Sequence, residues 1–109
     1  MKKQFRLQHN REFQSIIKKR KQFVTNSIIL YYAKNDSHLR VGLSVSKKFG
    51  NAVVRNRMRR KARAIIRELG VLDLKYDVVL IVRKNFIDAS FAKQQKAITQ
   101  VFERLKNEK

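Results

Sequence analysis

The chain has 109 residues, 43% of them hydrophobic, which suits one domain with a modest core and excludes a purely disordered basic tail. Lysine and arginine number 27 against 8 acids, and the resulting charge of +19 favours an anionic partner, nucleic acid first and an anionic membrane surface second. The absence of cysteine excludes disulfides and thiol chemistry and fits a reducing cytoplasm, while no apolar run is long enough to span a membrane and no signal-peptide pattern opens the chain.

Residues 1–9 read as a basic arm on a single domain covering 1–109. Asn10 is the expected N-cap of a first helix, with Glu12 in its first turn and Phe13, Ile16 and Ile17 on one apolar face. The four cations Lys18 to Lys21 suit the C-terminal end of its dipole. Phe23-Val24 reads as a short strand and Ser27 to Ala33 as a longer one, rich in branched and aromatic residues. Tyr31 and Tyr32 must point to opposite faces of that strand. Residues 34–38 form a turn by their Asn, Asp and Ser content. Leu39, Val41, Leu43 and Val45 alternate with Arg40, Gly42, Ser44 and Ser46, which predicts a half-buried strand with one unusually small face.

Asn51 is the expected cap of the next helix, and Gly70 its C′ residue. Residues 55–67 carry seven positive charges and no acid. At 100° per residue, Val54, Met58, Ala62, Ile65, Ile66 and Leu69 share an arc of roughly 120°. Asn56, Arg59, Arg60, Arg63 and Arg67 occupy the opposite side. Like charges four residues apart cost such a helix about 0.2–0.5 kcal/mol per pair, so the pattern makes sense beside a polyanion. Arginine rather than lysine points to phosphate, which its planar fork can bind bidentately. Arg55 falls within the apolar arc and Lys61 at its edge, so their stems are expected to snorkel to the rim.

Asp77 to Val82 reads as a buried strand covered on both faces. Ser90 is the expected cap of a last helix with Phe91, Ile98, Val101, Phe102 and Leu105 inward. The order is α-β-β-β-α-β-α, an α+β domain containing a β-α-β crossover. His9 and His38 read as solvated loop histidines. The carboxylates have no paired spacing, and no phosphate loop, metal-spaced cluster or nucleophile motif is present. From the residues alone this is a basic RNA- or DNA-binding domain without catalytic residues of its own.

The run from Arg40 to Arg63 resembles the bacterial ribonuclease P protein subunit. It contains Gly42-Leu43-Ser44-Val45-Ser46-Lys47-Lys48, then Gly50-Asn51-Ala52-Val53, then Arg55-Asn56-Arg57 continued by Arg59, Arg60 and Arg63. The resemblance implies a sandwich of helices on a small mixed sheet, with a left-handed crossover where the general rule favours a right-handed one. It implies two RNA partners, the ribonuclease P RNA and precursor tRNA. The RNA subunit removes the 5′ leader using Mg2+, and the protein side chains bind no cofactor by themselves. By the same resemblance, Lys47, Lys48, Arg55, Asn56, Arg57, Arg59, Arg60 and Arg63 bind the RNA. Arg67 joins them on the same helix face. A leader cleft would hold Phe13, Ile17, Lys18, Arg20 and Tyr31. Ile17 stands where the family often has an aromatic, and Lys19-Arg20-Lys21 replaces its usual Lys-x-Gly turn. No membrane and no stable protein partner is expected, and the location expected is the cytoplasm.

Rival readings are a ribosomal protein with the same basic helix but no cleft, a DNA-groove binder, and a protein nuclease. On the basic face only Asn56 suits base reading, and the acids and histidines lack useful spacing for a nuclease.

Overall fold

The computed structural model describes residues 2–108; Met1, the first residue of the expected arm, and Lys109 lie outside them. Helix α1 spans Asn10–Lys18, α2 Ala52–Glu68, α3 Lys84–Ile87 and α4 Phe91–Lys106. Strands β1 (Gln22–Val24), β2 (Ile28–Lys34), β3 (Arg40–Val45) and β4 (Tyr76–Val82) form one sheet in the order β1-β2-β4-β3. Of the three strand pairings among the described residues, β3–β4 is the parallel one, as a strand-helix-strand connection through α2 requires.

Local chemistry places most boundaries. The Asn51 side chain accepts a hydrogen bond from the Val54 amide (3.1 Å), and Ser90 accepts one from Lys93 (3.3 Å). Gly70 ends α2 with φ +66°, in the left-handed region that glycine tolerates. At the start of α1 the capping position falls to His9 rather than Asn10, and no side chain caps it. After α1 the missing turn glycine has a visible consequence. Arg20 itself adopts φ +58°, a conformation costing a non-glycine residue about 1–2 kcal/mol.

The sheet separates two layers. On one face Leu30, Val41, Leu43, Val78 and Leu80 pack with Met58, Ala62, Ile65 and Ile66 of α2 and with Ile98, Val101, Phe102 and Leu105 of α4. On the other, α1 lays Phe13, Ile16 and Ile17 over Tyr31, Ala33 and Val79. The small residues of β3 serve this second layer. A Cβ on Gly42 would come within 2.5 Å of the Phe13 ring, so glycine lets that ring lie on the sheet.

Residues 2–8 are less free than a basic arm. Leu7 is buried, its amide bonds to the Val41 carbonyl (2.9 Å), and Arg6 forms a parallel bridge with Val41. This contact also fixes the hand of the crossover. In a strand of L-residues running upward, a residue facing the viewer directs its carbonyl to the right. Val41 faces α2 and its carbonyl points at the arm, so seen from α2 the arm lies right of β3 and β4 lies left. The β3-α2-β4 connection is therefore left-handed, against the general preference.

Two expected burials fail. Phe91 is 51% exposed, because the inward position in the first turn of α4 belongs to Gln94, whose amide donates to the Phe86 carbonyl (2.8 Å). Strand β4 is not covered throughout on both faces, since Ile81 is only half-buried.

Candidate nucleic-acid interface

Two surfaces carry the residues singled out by the sequence, and they lie on opposite faces of the sheet. The first is α2 with the loop before it. Lys47, Lys48, Asn56, Arg57, Arg60 and Arg67 are exposed, and Arg55, Arg59 and Arg63 are half-buried. Among the described residues none of these cations has a carboxylate within ion-pair distance. Asn56 instead accepts a hydrogen bond from Arg59 Nη1 (3.0 Å), which holds that guanidinium against the helix.

Arg6 joins this surface, a residue the sequence reading left undistinguished within the arm. Adjacent residues of an extended segment face opposite ways, so with Leu7 turned toward α1, Arg6 turns toward α2. Burial, then the like charges of Arg6 and Arg59, lower the pKa of Arg63 from its ordinary value. The buried Nε atoms of Arg6 and Arg63 have no hydrogen-bond partner. Crowded, under-satisfied guanidinium groups of this kind are stabilised by a bound anion. The alternation Phe5-Arg6-Leu7 was the available signal, but nothing local pairs it with β3.

The second surface is a trough beside α1. Helix α1 has nine residues, about 14 Å of helix, and covers only part of its sheet face. It lies over the rows containing Tyr31-Val79-Gly42 and Ala33-Asp77-Arg40. The next row, Val24-Ile29-Ile81-Ser44, remains open, with Val24 49% exposed and Ile29, Ile81 and Ser44 half-buried. A surface cavity of about 410 Å³ adjoins it, lined by Asn26, Ile29, Ser44, Phe49, Ile81 and Asn85 among others.

The structure brings Phe13, Ile17 and Tyr31 into one half-buried apolar cluster along this trough. Lys18 and Arg20 are exposed at the end of α1. The neighbouring Lys21 carbonyl accepts from the Tyr32 amide (3.1 Å), which brings this turn alongside Tyr31. Tyr32 faces the other layer and stacks on Phe23, with ring centroids 4.9 Å apart. Phe13 is turned onto Gly42, so it anchors α1 as well as bordering the trough. The sequence missed Ile29, Ile81 and Ser44, which look like ordinary strand residues until it is known which rows α1 covers.

Among the described residues no group of three or more His, Cys, Asp or Glu is placed to hold a metal ion. No helix there is long and apolar enough to cross a membrane. His38 is half-buried, with Nδ1 3.0 Å from the Leu39 carbonyl and its ring edge-on to Phe5.

Comparison with known proteins agrees along the whole chain. The family model described as Ribonuclease P matches residues 1–106. A ribonuclease P protein component from Mycoplasma mobile is 42% identical over 109 residues, covering 100% of this chain and 96% of its own. One from an Exiguobacterium species is 41% identical, covering 97% of this chain and 94% of its own. Among solved structures, the Staphylococcus aureus RNase P protein superposes with a TM-score of 0.85 at 32% identity, covering 94% and 95% of the two chains. The Thermotoga maritima protein gives 0.81 at 30% identity, with 91% and 96% covered.

Proposed function

The chain belongs to the bacterial ribonuclease P protein family, the subunit of a tRNA 5′-processing ribonucleoprotein, and from that premise we propose that its two surfaces hold two different RNA segments. The α2 surface, made by Lys47, Lys48, Arg55, Asn56, Arg57, Arg59, Arg60, Arg63, Arg67 and Arg6, binds phosphates of the ribonuclease P RNA. The trough, bordered by Phe13, Ile17, Lys18, Arg20 and Tyr31, takes the single-stranded 5′ leader of precursor tRNA. The RNA subunit performs the hydrolysis with Mg2+, and the protein contributes charge screening and leader capture. This reading places the protein in the cytoplasm, with no membrane and no stable protein partner required. Family membership sets aside the ribosomal-protein and DNA-binding alternatives.

The observation that carries the division is the open row Val24-Ile29-Ile81-Ser44, apolar over most of its length and lying across the sheet from the arginine helix. A trough of that kind admits bases, with cations at its edge for the backbone. Because mature tRNA has lost the leader, a leader contact favours substrate over product. Adding the protein to ribonuclease P RNA is therefore expected to raise affinity for precursor tRNA about tenfold or more while mature tRNA changes little, one stacked base being worth about 1–3 kcal/mol. Equal gains for both, read by equilibrium binding, would locate the protein's contribution away from the leader.

A further inference from the structure

Arg40 is the one arginine among the described residues that two carboxylates share. Its Nε and Nη2 donate to the two oxygens of Asp77 (2.9 and 2.7 Å), and its Nη1 donates to Glu12 Oε2 (2.9 Å). Asp77 is fixed in turn by the Asn35 amide, which donates to its Oδ1 (2.7 Å) and to the His38 carbonyl (2.8 Å). The Asp77 hydrogen bonds outweigh burial and raise the Arg40 pKa above its ordinary value.

This arrangement is unlike every other cation of the trough face. In a chain with only 8 acids, two converge on one guanidinium, and the donors so occupied are not available to a phosphate. Arg40 lies in the register row Ala33-Asp77-Arg40, beside the Gly42 row that receives Phe13. Glu12 and Phe13 are consecutive, so both ties fall in the first turn of α1. A nine-residue helix is marginal in water, and its place on the sheet comes from such tertiary ties. Its height and tilt define one wall of the trough.

We propose that Glu12, Arg40 and Asp77 form a positioning clasp that holds α1 at the spacing from the sheet required to admit the leader. The proposal rests on the leader reading above. Arg40 is here a positioning residue acting through Glu12, not an RNA contact.

The sign of the effect separates the clasp from simple electrostatics. Removing an acid from a protein of charge +19 should tighten RNA binding on charge alone. The clasp requires the opposite, and only for precursor. In holoenzyme reconstituted with ribonuclease P RNA, Glu12→Ala and Glu12→Asp should each weaken precursor tRNA binding about three- to fivefold. Glu12→Gln, which keeps the length and an acceptor oxygen, should lose less than about twofold. Affinity for mature tRNA and for the RNA subunit should not weaken. If Asp is retained as well as Glu while Gln is not, the carboxylate serves the helix dipole and the clasp is overturned. Unchanged or tighter precursor binding in all three variants overturns it too. Tyr31→Ala in the same assay locates the failure. If it lowers precursor affinity when the Glu12 series does not, only the clasp falls; if neither has an effect, the leader reading falls with it.

Discussion

Replacing Arg59, Arg60 and Arg63 together by alanine should weaken binding to ribonuclease P RNA by roughly 100-fold or more at moderate salt, since a hydrogen bond to a charged group contributes about 1.5–3 kcal/mol. The logarithmic salt dependence should flatten by about two to three units, each neutralised phosphate contributing roughly 0.7–0.9. The fold should survive. None of the three belongs to the apolar core, Arg60 is exposed while Arg59 and Arg63 are half-buried, and none has an acid partner among the described residues. Losing the Arg63 stem removes some packing and also the burial and like-charge crowding that lower its pKa, so the melt of each variant is read beside its binding. A salt titration of binding, beside a thermal melt of each variant, decides the matter. A folded triple variant with an unchanged slope would move the RNA contact off α2.

Tyr31→Ala should reduce holoenzyme affinity for precursor tRNA by about 5- to 150-fold, the equivalent of one lost stacking contact at 1–3 kcal/mol. Mature tRNA should be bound as before, and Tyr31→Phe should behave nearly as the parent because the ring remains. Tyr31 makes the cleaner test because Phe13 carries a second duty. Its ring rests on Gly42, and truncating it would release α1 as well as remove an aromatic surface. Equal losses for precursor and mature tRNA would make Tyr31 a packing residue and send the leader elsewhere.

The arginine helix was legible because every signal for it is local. Asn51 caps it, Gly70 ends it, and the apolar and cationic arcs follow from a single period. The trough was legible only in part. Phe13, Ile17 and Tyr31 came from the family resemblance, and the structure does gather them. The floor at Ile29 and Ile81 did not, since an apolar run does not reveal which of its faces a neighbouring helix will cover. Helix α1 runs across the strands over the rows of Ala33 and Tyr31, from Arg40 and Gly42 on β3 to Tyr31 on β2, and that placement leaves the next row open. Arg40 looked like one polar residue in an alternating strand. Its partners lie 28 and 37 positions away, a separation at which periodicity is silent. Arg6 was hidden for the same reason, because its place on the α2 surface depends on the arm pairing with β3. Phe91 failed differently. Helical spacing put it inward, but it opens α4 at the edge of the core, where Gln94 takes the buried position.

In the function proposed above, this chain screens and captures RNA while the RNA subunit does the chemistry. The most direct test is cleavage of precursor tRNA by ribonuclease P RNA at a magnesium concentration too low for the RNA alone, with and without the protein. Added protein should restore release of the 5′ leader, and protein without the RNA should release none. Failure to restore cleavage, or leader release by the protein alone, would contradict the account.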